Sequence, residues 1–296
     1  MTQALSLSRR SHAARTSERE DLIVNVVMIA PALLLITIVF LLPLTLVLIN
    51  SVLTRDGLSL FYFNKFLTDP YYLAVLWRTF RLGFIGMVAT LVPGYILAYN
   101  MVFHPSRRFR LLIVAVTMVP LVINLLVRVF GWIAILSSQG TIHELLSFTG
   151  LEDVRVRLLY SESAIVIGSV HSHLTFMALP IAAALSKIDL SLLRAAQNLG
   201  AGPWRSFFRV ILPLSLPGIV AGSLLCFALN ISDFVSPILL GGERLRMMTY
   251  LIYEQQLFLA NDSFAAAQTV ILMTASSLAI FGGLRLAALF ARRFGS

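Results

Sequence analysis

Four ionisable side chains lie inside or at the edge of long apolar runs in this sequence: Arg128, His171, His173 and Asp233. A charged side chain at the centre of a bilayer costs at least about 2.5 kcal/mol, so such residues usually face a pathway or a partner. We predict that Arg128 and Asp233 line a translocation path, in which the Asp233 carboxylate meets a cationic solute. A charge that is paired internally, or that lies at the membrane interface, is the alternative interpretation of both residues.

The two histidines are two positions apart, and on a helix such side chains point about 200° away from each other. Because a helical metal pair needs both ligands on one face, we predict no metal site here. At least one histidine could line the path and titrate near neutral pH. Hydrogen bonding between helices is the alternative. Asn124 and Tyr99 are further polar residues that we assign to the path.

Catalytic motifs are absent from the sequence, which has no GxxxxGK[ST], no HExxH and no GxSxG. We therefore predict no catalytic residue and no cofactor in this chain. The net charge of +9 would suit nucleic acid. In a membrane protein an excess of arginine more often reports orientation, so we predict no nucleic-acid partner.

The elements that position these residues are predicted to be transmembrane helices. Hydrophobic residues make up 58% of the 296-residue chain and charged residues 12%, whereas a soluble domain is about 25% charged. A spanning helix needs about 20 apolar residues, so the sequence predicts an all-α membrane protein with six spans. These are predicted at residues 24–48, 82–103, 111–136, 163–186, 210–232 and 263–284.

Arginine and lysine counts predict the orientation of the spans. Fourteen of these residues fall in the two termini and in the connections between spans two and three and spans four and five, against eight in the other connections. By the positive-inside rule, both termini are predicted to be cytoplasmic. The predicted organisation is a cytoplasmic tail (1–21), a permease domain (22–291) with a cytoplasmic loop at 185–211, and a cytoplasmic C-terminus (292–296).

A polar, basic segment at residues 194–219 interrupts the apolar runs between spans four and five. Helical spacing of apolar residues predicts a short helix at 190–199, which Gly200 ends. A second, amphipathic helix then enters span five near Pro213. A plain amphipathic loop on the membrane surface is the alternative. Gly218 and Gly222 form a GxxxG pair that predicts close helix approach.

This segment resembles the EAA loop of ABC importer permeases. The resemblance rests on Ala195-Ala196, Gly200-Ala201, Phe207, Ile211, Leu212-Pro213 and Pro217-Gly218-Ile219. Further positions resemble the spermidine/putrescine-type branch: Leu97-Ala98-Tyr99, Val127-Arg128, Trp132, Gly140, Asp233-Phe234, Pro237 and Leu240-Gly241-Gly242.

The resemblance implies a lever that docks into a groove on a cytoplasmic ATPase. It implies two ATPase subunits that bind ATP and Mg, a second permease subunit (a similar chain is favoured over a second copy), an extracytoplasmic binding protein, and a place in the bacterial inner membrane. Polyamines are the favoured solutes, with opines, amino-acid derivatives, thiamine-like cations and iron left open. The expected coupling residues are Arg194, Ala195, Ala196, Leu199, Gly200, Ala201, Trp204 and Phe207.

The chain departs from the family pattern at Arg194, where the family usually has Glu. The reversed sign puts the usual salt bridge to the ATPase in doubt. Either this ATPase has a compensating acid, or a second permease carries the standard loop. A secondary transporter or channel driven by an ion gradient is the alternative function. It predicts coupling acids near mid-bilayer, where the chain offers only the marginal Asp233.

Overall fold

Nearly the whole described chain is helical. The computed structural model describes residues 28–54, 57–141 and 158–294, with side chains as far as residue 289. The predicted tail 1–21 lies outside the described residues, as do the side chains of segment 292–296. The elements are α1 (Met28–Val52), β1 (Leu53–Thr54), β2 (Gly57–Leu58), α2 (Phe61–Thr68), α3 (Pro70–Phe103), α4 (Arg107–Val122), α5 (Leu125–Leu136), α6 (Glu162–Leu185), α7 (Leu190–Asn198), α8 (Pro203–Ser232), α9 (Met248–Leu257) and α10 (Asp262–Phe294).

Irregular helical turns occur at both ends of the fifth span. A π-helix over Phe207–Ile211 lies within α8. A second π-helix (Pro237–Gly241) and a 3₁₀-helix (Glu243–Leu245) follow α8 and lead to α9. The two strands form an antiparallel hairpin after α1, in which Leu53 pairs with Leu58.

Six apolar helical units account for the predicted spans. Within the described residues, α1, α3, α6, α8 and α10 are each long and apolar enough to cross a membrane. α4 and α5 pass the same test when taken together. The prediction of an all-α membrane protein with six spans is therefore confirmed. No residue in the most apolar window of α1 is buried, so the apolar side chains of this helix are exposed in the single chain, which suits an apolar surrounding rather than water.

The third span is not the single helix that its apolar run predicts. α4 ends at Val122, α5 begins at Leu125, and the two helices are bent by 101°. Pro120 lies in the last turn of α4, where it supplies no backbone donor. Asn124 caps α5, because its side-chain oxygen accepts a hydrogen bond from the Leu126 amide at 2.9 Å. A proline followed by a capping residue therefore turns the chain sharply within the span.

The second span is longer than predicted. α3 has 34 residues, which extend about 51 Å at 1.5 Å per residue. That length exceeds the hydrocarbon core of about 30 Å, so one end of α3 projects beyond the bilayer. The projecting end includes Arg78 and Arg81, which the sequence placed in a connection. Arg78 donates to the Arg244 carbonyl at 3.2 Å, and Arg81 pairs with Glu162. These polar contacts support the extension.

Helices α3, α6 and α8 form the centre of the bundle, where glycines allow close approach. A Cβ built at Gly94 would lie 2.6 Å from a Met177 side-chain carbon. One at Gly218 would lie 2.6 Å from the Pro180 carbonyl oxygen, and one at Gly222 would lie 2.9 Å from the Met177 carbonyl oxygen. Both glycines of the GxxxG pair therefore lie against α6, as their spacing predicts.

We predict that Gly218→Ala lowers the thermal unfolding midpoint of the detergent-solubilised protein, whereas Gly282→Ala does not. The added methyl at position 218 overlaps the α6 backbone, and such overpacking typically costs about 1–3 kcal/mol. At Gly282, also within a spanning helix, no heavy atom lies within 4 Å of a built Cβ. Differential scanning fluorimetry of both variants checks this, and equal midpoints would contradict the packing role of Gly218.

Candidate functional site

A cavity of about 670 Å³ lies where the break between α4 and α5 meets the end of α8. Two of its walls are stretches in which helical hydrogen bonding is interrupted, residues 120–125 and 232–235. Side chains of α6 lie between these walls. The structure brings together here four of the six residues predicted to line a path, which are Asn124, Arg128, His173 and Asp233.

Arg128 supports the break in the third span. Its Nη1 donates to the Pro120 carbonyl oxygen at 2.5 Å. That carbonyl belongs to the last turn of α4, whose carbonyls lack helical amide partners. A cation also interacts favourably with the negative end of the helix dipole. The Nε of Arg128 is buried without a hydrogen-bond partner among the described residues. The side chain thus makes one structural contact and keeps further N–H donors, the Nε among them, beside the cavity.

Asp233 caps the helical turn that follows α8. One carboxylate oxygen accepts hydrogen bonds from the amides of Val235 and Ser236 at 3.1 and 3.2 Å. The Thr249 hydroxyl donates to the Asp233 carbonyl at 3.0 Å. Among the described residues, Arg128 and Asp233 line the same cavity without forming an ion pair. The carboxylate is therefore held in place by backbone amides, and its charge is not cancelled by direct pairing.

A buried hydrogen-bond network joins α3, α6 and α8 beside the cavity. His173 Nδ1 donates to Asn230 Oδ1 at 2.9 Å. Asn230 Nδ2 donates to the Gly83 carbonyl at 3.3 Å, and the Cys226 thiol donates to the His173 carbonyl at 3.4 Å. His173 thus makes the interhelical hydrogen bond that was the alternative interpretation, while also lining the cavity. Asn230 was missed at the sequence level, although an amide inside an apolar span is a usable signal.

His171 and Tyr99 lie outside the lining of this cavity. His171 Nδ1 accepts a hydrogen bond from Trp132 Nε1 at 2.9 Å, which joins α6 to α5. The Tyr99 ring packs against Phe103 and Phe207, with centroids 5.0 and 6.2 Å apart. The structure therefore separates these two residues from the other four, and their assignment to the path stays a prediction.

The short helix α7 stands between the fourth and fifth spans. Asp189 caps its first turn by accepting a hydrogen bond from the Ser191 amide at 2.8 Å, which lowers the pKa of the Asp189 carboxyl. Gly200, with φ of +80°, adopts the left-handed conformation that ends many helices. The prediction of a helix over 190–199 that stops at Gly200 agrees with the observed bounds, Leu190–Asn198.

The predicted coupling residues divide between an exposed surface and an inward contact. Leu199 is 89% exposed and Trp204 is 75% exposed, and exposed apolar groups of this kind mark an interaction site when they cluster. The Phe207 ring instead lies 5.7 Å from that of Tyr95 on α3. The remaining coupling residues are exposed (Arg194, Ala195 and Gly200) or half-buried (Ala196 and Ala201).

Comparison with known proteins identifies the family. Residues 91–295, more than half of the chain, match the family model described as "binding-protein-dependent transport system inner membrane component". The chain belongs to this family. It is the permease subunit of an ABC importer and a multi-pass inner-membrane protein.

Relatives of this permease include spermidine/putrescine transport system permease proteins named PotB. The protein from Haemophilus influenzae is 35% identical over 250 residues, which cover 81% of this chain and 86% of the relative. The one from Escherichia coli K12 is 34% identical over 244 residues, covering 80% and 88%. A putative 2-aminoethylphosphonate permease, PhnU of Salmonella typhimurium LT2, is 28% identical over 264 residues, covering 88% and 91%.

The fold of this permease also matches a solved structure, that of a bacterial ABC transporter involved in the import of the acidic polysaccharide alginate. The TM-score is 0.78, and the match covers 92% of this chain and 96% of the other at 18% identity. This likeness concerns the fold. Membership of the permease family sets aside the gradient-driven secondary transporter or channel that the composition left open.

We predict that Asn230→Ala destabilises the permease more than Asn100→Ala does. The first change removes the partner of His173 and Gly83 from a buried network, and each buried polar group left unsatisfied costs about 1–3 kcal/mol. At Asn100 the amide donates to Ile96 of its own helix near the end of α3. Thermal unfolding in detergent checks this, and a midpoint for Asn230→Ala at or above that of Asn100→Ala would contradict the role of the network.

Proposed function

We propose that this permease imports a small organic cation of the polyamine type through the cavity at the two helix breaks. One observation carries the proposal: the Asp233 carboxylate shares this cavity with the C-terminal ends of α4 and α8. The PotB relatives, whose names specify spermidine and putrescine, support a cationic cargo.

The electrostatics of the two breaks favour an amine. The helical turns that begin at the cavity have their free amides occupied by the side chains of Asn124 and Asp233. The helices that end there, at Val122 and Ser232, present carbonyl groups with partial negative charge. Arg128 neutralises part of this field at Pro120. The remaining carbonyl and carboxylate oxygens are acceptors, which complement the N–H donors of an ammonium group.

A second permease subunit would complete the cavity wall. Val122 lies in the cavity lining and is 85% exposed. Charged residues in a spanning segment are costly when they face lipid, so the open side next to Arg128 and Asp233 requires a protein or aqueous neighbour. A similar permease chain, packed against the break between α4 and α5, supplies that neighbour.

ATPase subunits would bind at α7. Exposed Leu199 and Trp204 offer apolar anchors next to a helix whose end is fixed by Gly200. In this arrangement α7 and both termini are cytoplasmic, two ATPases hold ATP and Mg, and an extracytoplasmic binding protein delivers the solute at the other end. A solved relative of similar fold was captured with its periplasmic protein, which supports such delivery.

Transport would follow from movement of α7. Closure of the ATPases on ATP pushes α7 and the start of α8 toward the second permease, and the Phe207 contact with Tyr95 passes the displacement to α3. The cavity then opens outward and accepts the cation from the binding protein. Hydrolysis separates the ATPases, and the cavity opens to the cytoplasm.

We predict that Asp233→Asn reduces spermidine uptake in proteoliposomes of the full transporter, by about tenfold if the lost attraction is near 1.4 kcal/mol. Asn is as good a helix cap as Asp, so the change removes charge while the turn is kept. Asp69→Asn is the matched control, because Asp69 caps α3 by accepting from the Tyr71 amide at 2.9 Å outside the cavity.

Uptake rates, normalised to permease content, check this prediction. Wild-type uptake by Asp233→Asn would refute a role of its charge in the path. An equal loss in Asp69→Asn would point to capping instead.

We predict that Leu199→Asp abolishes co-purification of the ATPase without lowering the yield of the permease. Leu199 is 89% exposed, so the change disturbs little within the chain but places a charge in an apolar contact. Leu58→Asp is the control, since Leu58 is 78% exposed in the hairpin beyond α1. Retention of the ATPase by Leu199→Asp, measured by affinity purification and ATP hydrolysis, would contradict docking at α7.

A further inference from the structure

The loop between the fourth and fifth spans carries a strongly one-sided charge. Residues 186–211 contain four basic residues and a single acid, Asp189. The acid is engaged at the start of α7, where it accepts the Ser191 amide. The four bases are all exposed: Lys187, Arg194, Arg205 and Arg209. The surface next to α7 is therefore positive, and its single carboxylate, that of Asp189, caps the first turn of the helix.

Arg194 is the base that the fold presents on the helix itself. Leu193 packs against the central cluster of the bundle, which fixes the rotation of α7. Leu190, Arg194 and Asn198 follow one another along one side of α7 at i, i+4 spacing, and all three are exposed. Among the described residues, no acidic side chain forms an ion pair with Arg194. The guanidinium thus lies on an exposed side of α7 and is available to a partner.

We infer that the ATPase surface that receives α7 presents a carboxylate to Arg194, so that the contact has the opposite sign from the usual Glu-centred one. The inference rests on the docking proposed above. A basic groove suited to Glu would meet Arg194 with like charge, which disfavours association. A carboxylate would instead accept the guanidinium, in a bidentate contact if it is well aligned. Specific pairing of this permease with its own ATPase follows, because an ATPase of the usual sign is repelled.

The test measures binding of the purified ATPase subunit of this transporter to the detergent-solubilised permease. We expect Arg194→Gln to raise the dissociation constant about threefold to tenfold and Arg194→Glu by about tenfold or more, as for an interfacial ion pair lost or reversed. The differences should shrink as salt is raised from about 0.05 M to about 0.5 M, because salt screens such pairs. Arg108→Gln is the control, an exposed base at the start of α4 on the same end of the bundle.

A charge-reversal series on the ATPase completes the test. Replacing each acid of its permease-facing groove by Lys should identify one variant that restores binding to Arg194→Glu while weakening binding to the wild-type permease. Equal or tighter binding by Arg194→Glu, or the absence of any rescuing acid, would overturn the inference.

Two further outcomes distinguish failure of this inference from failure of the ATPase docking at α7 on which it rests. If Arg194→Gln keeps full ATPase affinity but binds phosphatidylglycerol vesicles more weakly than wild type, then Arg194 contacts anionic lipid and the inference fails. If Leu199→Asp also keeps full ATPase affinity, then docking at α7 itself fails. If Leu199→Asp loses ATPase binding while Arg194→Glu keeps it, docking at α7 stands. Only the proposed contact between Arg194 and an ATPase carboxylate is then refuted.

Discussion

The cavity of this permease depends on how backbone groups are satisfied where two spanning helices are broken. In hydrocarbon an unpaired backbone amide or carbonyl costs several kcal/mol, so irregular backbone persists at membrane depth only where protein or a water-filled cavity serves it. Here Asn124 and Asp233 occupy the amides of the turns that begin at the breaks, and Arg128 occupies a carbonyl of the helix that ends there. The same side chains that permit the breaks line the cavity that the breaks create.

The rest of the bundle holds these two breaks at a fixed distance. α4 and α5 form one wall and the end of α8 forms the other, while α6 lies between them. The glycine contacts of Gly218 and Gly222 with α6 set how closely α8 approaches. The bond between His173 and Asn230 fixes the same pair of helices nearer the cavity. At the opposite end of α8, Phe207 joins the start of that helix to α3. Closely packed helices therefore connect the start of α8 to the cavity.

Sequence analysis recovered the features that arise from local physics. Apolar length is sufficient to count six spans, and a glycine after a short amphipathic helix is sufficient to place the end of α7. The break at Asn124 was missed, because a proline in a continuous apolar run is common in spanning helices and does not by itself decide between a kink and a sharp turn. The extension of α3 was missed for another reason. It is stabilised by contacts of Arg78 and Arg81 with residues far away in the chain. Asn230 has its role only because His173 and Gly83 lie opposite it.

The cavity and the coupling surface, by which we mean α7 with Leu199 and Trp204, differ in how specifically they can recognise what binds to them. Arg128 donates to the Pro120 carbonyl and keeps its positive charge, while Asp233 supplies the carboxylate in the lining of this cavity. One carboxylate with helix carbonyls favours an amine but distinguishes poorly among amines, since the lining has no second carboxylate to pair with a second ammonium group. Selection of the solute then falls to the protein that delivers it. The coupling surface differs, because its exposed bases and apolar anchors are displayed on a helix of fixed rotation. Under the docking proposed above, the sign of a single contact at Arg194 distinguishes one ATPase from another. This chain would then select its ATPase more directly than it selects its cargo.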